Sequence, residues 1–344
     1  QKVVLVTVPL PFLLIVVMFF YGVTRPGAGQ GIKAYVDPTA NPSSLGTLDP
    51  WVDAAGQIFF GLSLSVGVMI AYSSHQPSSS KVVQNSWIIA LGNSAFSLVA
   101  GFSVFALLGH FADTAQIPLD DVARSGFVLS FQTFPAAFSL FEGKGAPNVF
   151  SVLFFVTLLL LGIDSAMSLV EAVCEALIDN FKFCRRHVPL VSALVCLAGF
   201  LVSLIMTTRG GYQILDIIDH FSSNYLMLLG GGISTIIIGW GYPAEKLVTQ
   251  VKTKTGQNAQ WLPFLWTYMC KFVTPAILLV LFVYNAYKDM GSPYGGYPQW
   301  ALFCFGWLPA LVFPVLFFAL PSLFVFKRFE KEEKSAKVQN HQSH

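Results

Sequence analysis

Apolar positions in this chain come in long, nearly unbroken runs separated by short polar stretches, not at every second or every third-and-fourth position. A hydrocarbon core about 30 Å thick takes roughly 20 apolar helical residues to cross. About eight runs meet that length: 3–23, 51–73, 86–109, 148–177, 189–206, 221–240, 262–287 and 300–326. The pattern predicts an all-α membrane protein. The fourth run is longer than a crossing needs, so it is expected to tilt or to project into the cytoplasm. Its polar end, EALIDNFKFCRRH, suits projection.

The second run, DPWVDAAGQIFFGLSLSVGVMIAYSS, is organised differently. Gly61-Leu62-Ser63-Leu64-Ser65 places small and hydroxyl residues at mid-membrane depth. A broken helix uses such an insert, because freed carbonyls and hydroxyls can hold an ion or a polar solute. The competing reading is a seam where small residues let helices approach closely.

Composition agrees with lipid as solvent. The 344 residues are 54% hydrophobic and 11% charged, against about 25% charged in soluble domains. A net charge of +2 gives no sign of a nucleic-acid partner. The five cysteines have no metal or redox spacing and read as core thiols. Most Lys and Arg, including Lys81, Lys182, Arg185, Arg186 and the cluster at 327–337, fall on one side of the predicted spans. Arg25, Lys33, Arg124, Lys144, Arg209 and Lys288 fall on the other. The positive-inside rule makes the first side cytoplasmic, with residues 327–344 as a solvated cytoplasmic tail. The chain opens at Gln1 on an apolar run with no signal-peptide cleavage site, which suggests a piece of a longer protein.

Two outer loops are expected to carry short helices. One is 25–50. In 112–148, Asp120-Asp121-Val122 would open a helix with acids at its positive end. Ser125-Gly126 would break it, and FVLSFQTFPAAFSLF would follow as a second apolar piece, either capping an extracellular vestibule or lying as an ordinary surface loop.

Polar groups inside the membrane are functional candidates by default. Besides the Gly61–Ser65 insert with Gln57 one turn before it, Asn93, Ser94 and Ser97 interrupt the third run. Asn93 and Ser97 share a helix face, as ligands or as bonds between helices. In LLLLGIDSAMSLVEAV, Asp164 is the most costly group, at about 2.5–3.5 kcal/mol for a carboxylate at the bilayer centre. A sodium ion beside Asp164 and Ser165 would offset that, since hard cations prefer oxygen ligands. Protonation, or a hydrogen bond to a neighbouring helix, would also do so. Glu171 and Glu175 read as a solvated or salt-bridged helix end. Asp216 and Asp219 sit near the outer surface. The six histidines are placed at loop or helix ends, and no nucleophile–base set or phosphate loop is present.

In order along the chain, KVVLVTVPLPFLLIVVMFFYGVTRPGAGQGI, DPWVDAAGQIFFGLSLSVG, LGNSAFSLVAGFSVFALLG, LLLGIDSAMSLVEAV, GGYQILDIIDHF and IIIGWGYPAEKL resemble the neurotransmitter:sodium symporter family, from its fifth membrane helix onward. The resemblance implies the leucine-transporter-type fold: residues 1–23 as the last helix of the first inverted repeat, 51–240 as the second repeat with its unwound helix at 61–65, and 262–326 as two C-terminal helices. Helices one to four would then be partners supplied by the rest of the protein, and the chain alone would be inactive.

By position, the resemblance assigns Phe60, Gly61, Ser63, Val66, Ser165 and Leu169 to the substrate pocket. It assigns Leu161, Asp164 and Ser165 to one sodium ion, Asn93 to another, and Gln57 with Ser97 to chloride. Asp219, or Asp216, would be the acidic half of an outer gate. The family usually has Ser or Thr where this chain has Gly61, so one hydroxyl of the first sodium and chloride sites is lacking. The implied function is sodium-coupled symport of an amino acid or related zwitterion by alternating access, in the plasma membrane. The alternative is a non-transporting solute receptor of the same fold, which Gly61 favours.

Overall fold

Where every backbone donor must be satisfied without water, a spanning chain forms helices or a closed barrel, and the long apolar runs here fit helices. The structure, a computed structural model, describes residues 9–37, 46–77, 79–122, 126–141, 145–241 and 262–312, with positions 143, 249 and 251. Among them there is no strand. In chain order the helices are α1 (Pro9–Val23), α2 (Ala28–Val36), α3 (Asp49–Gly61), α4 (Val68–Ser74), α5 (Val82–Ala115), α6 (126–139), α7 (Ala146–Asn180), α8 (Val188–Met206), α9 (Gly211–Trp240), α10 (262–291) and α11 (Gln299–Val312). The start of the first apolar run, the end of the eighth, and the tail lie outside the described residues.

Among the described residues, five stretches are long and apolar enough to cross a membrane: Val82–Ala115, Ala146–Asn180, Val188–Met206, Gly211–Trp240 and Leu265–Gly296. A sixth is obtained if α1 and α2, bent by 115° at their junction, count as one span. The second apolar run is split between α3 and α4, and the eighth is followed as far as Val312. The long fourth run is a single 35-residue helix, about 52 Å at 1.5 Å per residue.

The chain forms two compact units. The first comprises residues 1–47 and 70–195. In it, Pro26 and Gly27 (φ 78°) turn the chain between α1 and α2, and α2 then lies directly on α5. A Cβ at Gly31 would overlap the Phe105 carbonyl, so only glycine permits that approach. The apolar piece after Ser125-Gly126 does form a helix, α6. It packs into the core rather than lying as an ordinary loop. Phe134, Phe138 and Phe141 bury against Leu14, Met18 and Leu107, with Tyr21, Phe150 and Phe154 around them. The expected helix at Asp120-Asp121-Val122 is present as the turn Leu119–Val122.

The second unit comprises residues 48–69 and 196–344. Its core joins Val52 of α3 to Leu228 of α9 and Leu278 and Leu281 of α10, with Phe59 and Tyr284 packed alongside. A second cluster joins Ile217, Phe221 and Tyr225 of α9 to Ala301, Leu302 and Ala310 of α11.

Candidate ion and substrate site

In the second unit, α3 starts with Asp49 and Pro50 in its first turn, an acid at the positive end and a residue with no N–H to leave unpaired. It ends at Gly61. The Leu62 N–H still reaches the Ile58 carbonyl at 3.0 Å, and the Leu64 N–H reaches Phe59 at 2.9 Å. Ser63 (φ 50°), Ser65 (φ 68°) and Gly67 (φ 82°) then leave the helical region. The interruption therefore runs over 62–67, slightly beyond the Gly61–Ser65 expected from sequence, because Gly61 still closes the preceding turn. Two serines in the left-handed region cost roughly 1–2 kcal/mol each. Part of that is offset by the Ser65 hydroxyl, which donates to the Met227 carbonyl of α9 at 2.9 Å. Gly230 and Gly231 make the approach possible, since a Cβ on Gly231 would overlap the Phe59 ring. Gln57, Phe60, Gly61 and Val66 are exposed on this segment, and Phe60 is 62% accessible.

In the first unit, Leu161, Asp164, Ser165 and Leu169 lie on α7, which runs unbroken through Gly162. Leu161 and Asp164 or Ser165 are three to four positions apart and so share a face. The Ser168 hydroxyl donates to the Asp164 backbone carbonyl at 2.9 Å. That uses its one proton, so the contact between Tyr72 of α4 and Ser168 has the tyrosine as donor. The Asp164 carboxylate accepts no hydrogen bond among the described residues. The Leu161 carbonyl and the Ser165 hydroxyl lie on the same stretch of α7, and all three are oxygen groups of the kind a hard monovalent cation prefers. Asn93 and Ser97 are half-buried on α5, one turn apart. Further along α7, Glu171 and Glu175 stand 3.6 and 3.5 Å from His75 Nε2, close enough to pair with a protonated imidazole.

In the second unit, the two carboxylates singled out from sequence, Asp216 and Asp219, differ in setting, and partners that the sequence did not mark surround them. Asp216 accepts from the phenols of Tyr297 at 2.9 Å and Tyr294 at 3.4 Å. Burial first, then the hydrogen bond to Asp216, pushes the Tyr297 phenol up to about 12, so it remains a donor at neutral pH. Asp219, one turn on, is exposed and makes no hydrogen bond among the described residues. His220 Nε2 and the Tyr225 phenol both lie 2.7 Å from Asp289 Oδ2. The placement of all six histidines at loop or helix ends needs correction. His220 sits inside α9, and His110 sits inside α5 with its Nδ1 3.0 Å from the Pro26 carbonyl. The helices run past both positions. The core-thiol reading holds for Cys174, which is buried, and fails for Cys196 and Cys304, which face outward.

The chain matches the Sodium:neurotransmitter symporter family over residues 1–330 and belongs to it. It is thus an integral, multi-pass membrane protein of a transporter family, not an enzyme. Among its relatives, an uncharacterized sodium-dependent transporter of Methanocaldococcus jannaschii is 38% identical over 91% of this chain and 61% of that protein. The sodium-dependent dopamine transporter of Bos taurus is 36% identical over 89% of this chain and 43% of its own length. The human sodium- and chloride-dependent neutral and basic amino acid transporter B(0+) is 30% identical over 90% and 50%. The chain therefore spans roughly half the length of the curated relatives it matches. In fold it is similar to the crystal structure of MhsT in complex with L-phenylalanine, with a TM-score of 0.63 and 24% identity over 81% of this chain and 61% of that one. That likeness places the chain in the all-α, leucine-transporter-type fold.

Proposed function

We propose that the chain is part of a sodium-coupled symporter that moves an amino acid or a related small zwitterion across the plasma membrane by alternating access, with its C-terminus in the cytoplasm. Family membership supports the class. The observation that carries the chemistry is the Asp164 carboxylate, which has no hydrogen-bond partner among the described residues and stands beside the Ser165 hydroxyl and one turn from the Leu161 carbonyl. Sodium is the ion proposed there, as co-substrate. From the family resemblance, Asn93 is the proposed ligand of a second sodium and Gln57 and Ser97 are the proposed chloride ligands, with no hydroxyl available from Gly61 for either ion.

Phe60, Gly61, Ser63 and Val66 of the second unit, and Ser165 and Leu169 of the first, are the substrate-contacting residues proposed from the family resemblance. The outer gate is assigned to Asp219 rather than Asp216, because Asp216 is already held by two phenols while Asp219 is uncommitted. Within that class a neutral amino acid is the preferred substrate, because the apolar side chains of Phe60, Val66 and Leu169 offer no charged partner. Membrane lipid and the rest of the protein are the partners, and the 344 residues alone are expected to be inactive.

The test is Asp164→Ala in the complete transporter. Sodium-driven uptake should disappear while the amount of protein in the membrane stays the same, and unchanged uptake would overturn the ion role. A second reading, a solute receptor that does not transport, is favoured by Gly61. It predicts solute binding with no sodium-driven accumulation.

A further inference from the structure

Near its outer end, α10 places two adjacent charges on two different neighbours. Lys288 Nζ lies 2.7 Å from Oδ1 of Asp49 in the first turn of α3. Asp289 turns about 100° away around the helix and meets α9, where His220 Nε2 and the Tyr225 phenol share its Oδ2. The two pairs differ in setting. The Lys288 and Asp49 side chains are 56% and 41% exposed, whereas His220 and Asp289 are 15% and 10% exposed.

The buried pair is also fully specified. The Asn224 amide donates to His220 Nδ1 at 3.1 Å, which leaves the imidazole proton on Nε2, pointing at Asp289. The Asn285 amide donates to the Asn224 carbonyl at 3.3 Å, a further tie between α10 and α9. Asn224 and Tyr225 sit in the π-type turn Ser222–Leu226, which sets their side chains toward these partners. The imidazole is stacked on Tyr294, with ring centroids 3.6 Å apart, and Tyr294 also donates to Asp216. The turn of α9 that carries Asp219 is thus held on one side through Asp216 and on the other through His220. Asp219 itself is left free.

We propose that Lys288 and Asp289 act as a clasp: α10 fastens the start of the interrupted helix α3 and the Asp219-bearing turn of α9 into one body, and the pair are positioning residues for Asp219. This rests on the reading of Asp219 as the gate. Through the clasp, any movement of the outer half of α3 is transmitted to the gate carboxylate, and Asp219 keeps its height and facing while it engages and releases.

The experiment measures KM and kcat for sodium-driven uptake of tritiated L-leucine and L-phenylalanine by the complete transporter in proteoliposomes. Asp289→Asn removes the charge that strengthens both hydrogen bonds and should raise KM about tenfold, and Lys288→Met, at the wetter pair, about threefold. In both, kcat should change less than KM. His220→Gln keeps a donor toward Asp289 and should stay within about twofold of the parent. Wild-type KM in Asp289→Asn and Lys288→Met, alongside a raised KM in Asp219→Asn, would overturn the clasp and leave the gate standing. A silent Asp219→Asn would overturn the gate reading and the clasp with it.

Discussion

The hydroxyl of Ser65 donates to the backbone carbonyl of Met227, 162 residues further along the chain, and so ties the interrupted segment to α9. Ser65 holds this bond from a backbone conformation that L residues disfavour (φ 68°). Two substitutions separate the opposing effects. Ser65→Ala loses the bond and keeps the strain, and should destabilise by about 1 kcal/mol. Ser65→Gly loses the same bond but relieves about 1 kcal/mol of left-handed strain, so it should lie close to the parent. Thermal unfolding of detergent-solubilised protein should rank the parent and Gly together, above Ala.

The same contact depends on bare backbone across from it. A methyl group at Gly231 would overlap the Phe59 ring, which is packed against the core formed by Val52, Leu228, Leu278 and Leu281. Gly231→Ala should cost about 1–3 kcal/mol through overpacking. Combining it with Phe59→Leu should recover part of that loss, a non-additivity that a double-mutant cycle on unfolding midpoints would detect.

In the first unit the constraint is tighter, because the atom in the way belongs to the main chain. A Cβ at Gly31 would overlap the Phe105 carbonyl, and neither backbone can rotate aside as a ring can. Gly31→Ala should destabilise by about 3 kcal/mol or more, with markedly less protein recovered in the membrane fraction. Recovery equal to the parent would mean that α2 does not lie against α5 in this way.

What could be read from sequence follows how local each signal is. The interrupted helix was legible because Ser63 and Ser65 stand in a run that is otherwise apolar. Its limits moved to 62–67 because a helix can still close on Gly61, which composition alone does not reveal. The hydroxyl and carboxylate pair at Asp164 and Ser165 was visible for the same reason, as polar groups in LLLLGIDSAMSLV. The Asp289–His220 pair was not, since its members are 69 residues apart and neither belongs to a periodic pattern. His220 was placed at a helix end because the apolar run that marks its span begins only at residue 221. The π-type turn at Ser222–Leu226, which carries α9 onward through Tyr225, leaves no recognisable mark in SSNYL. Likewise, short helices within 25–50 were expected and α2 is one of them, but the closeness of α2 to α5 depends on Gly31 meeting a carbonyl far along the chain.

The last prediction concerns the relay behind Asp164. Tyr72 donates to Ser168, and Ser168 donates to the Asp164 carbonyl, so α4 is linked to the backbone of the proposed sodium ligand by two hydrogen bonds in series. Tyr72→Phe removes the first bond and leaves the second. Ser168→Ala removes both and strands the phenol. Each hydrogen bond is worth about 1 kcal/mol, and that corresponds to roughly fivefold in an equilibrium constant if it is felt at the ion. Tyr72→Phe should therefore raise the half-saturating sodium concentration for uptake by up to about fivefold, and Ser168→Ala by at least as much. The double substitution should be no worse than Ser168→Ala alone, because both act through one hydroxyl. A sodium titration of uptake checks this. Additive shifts in the double variant would mean that Tyr72 and Ser168 reach the ion by separate routes.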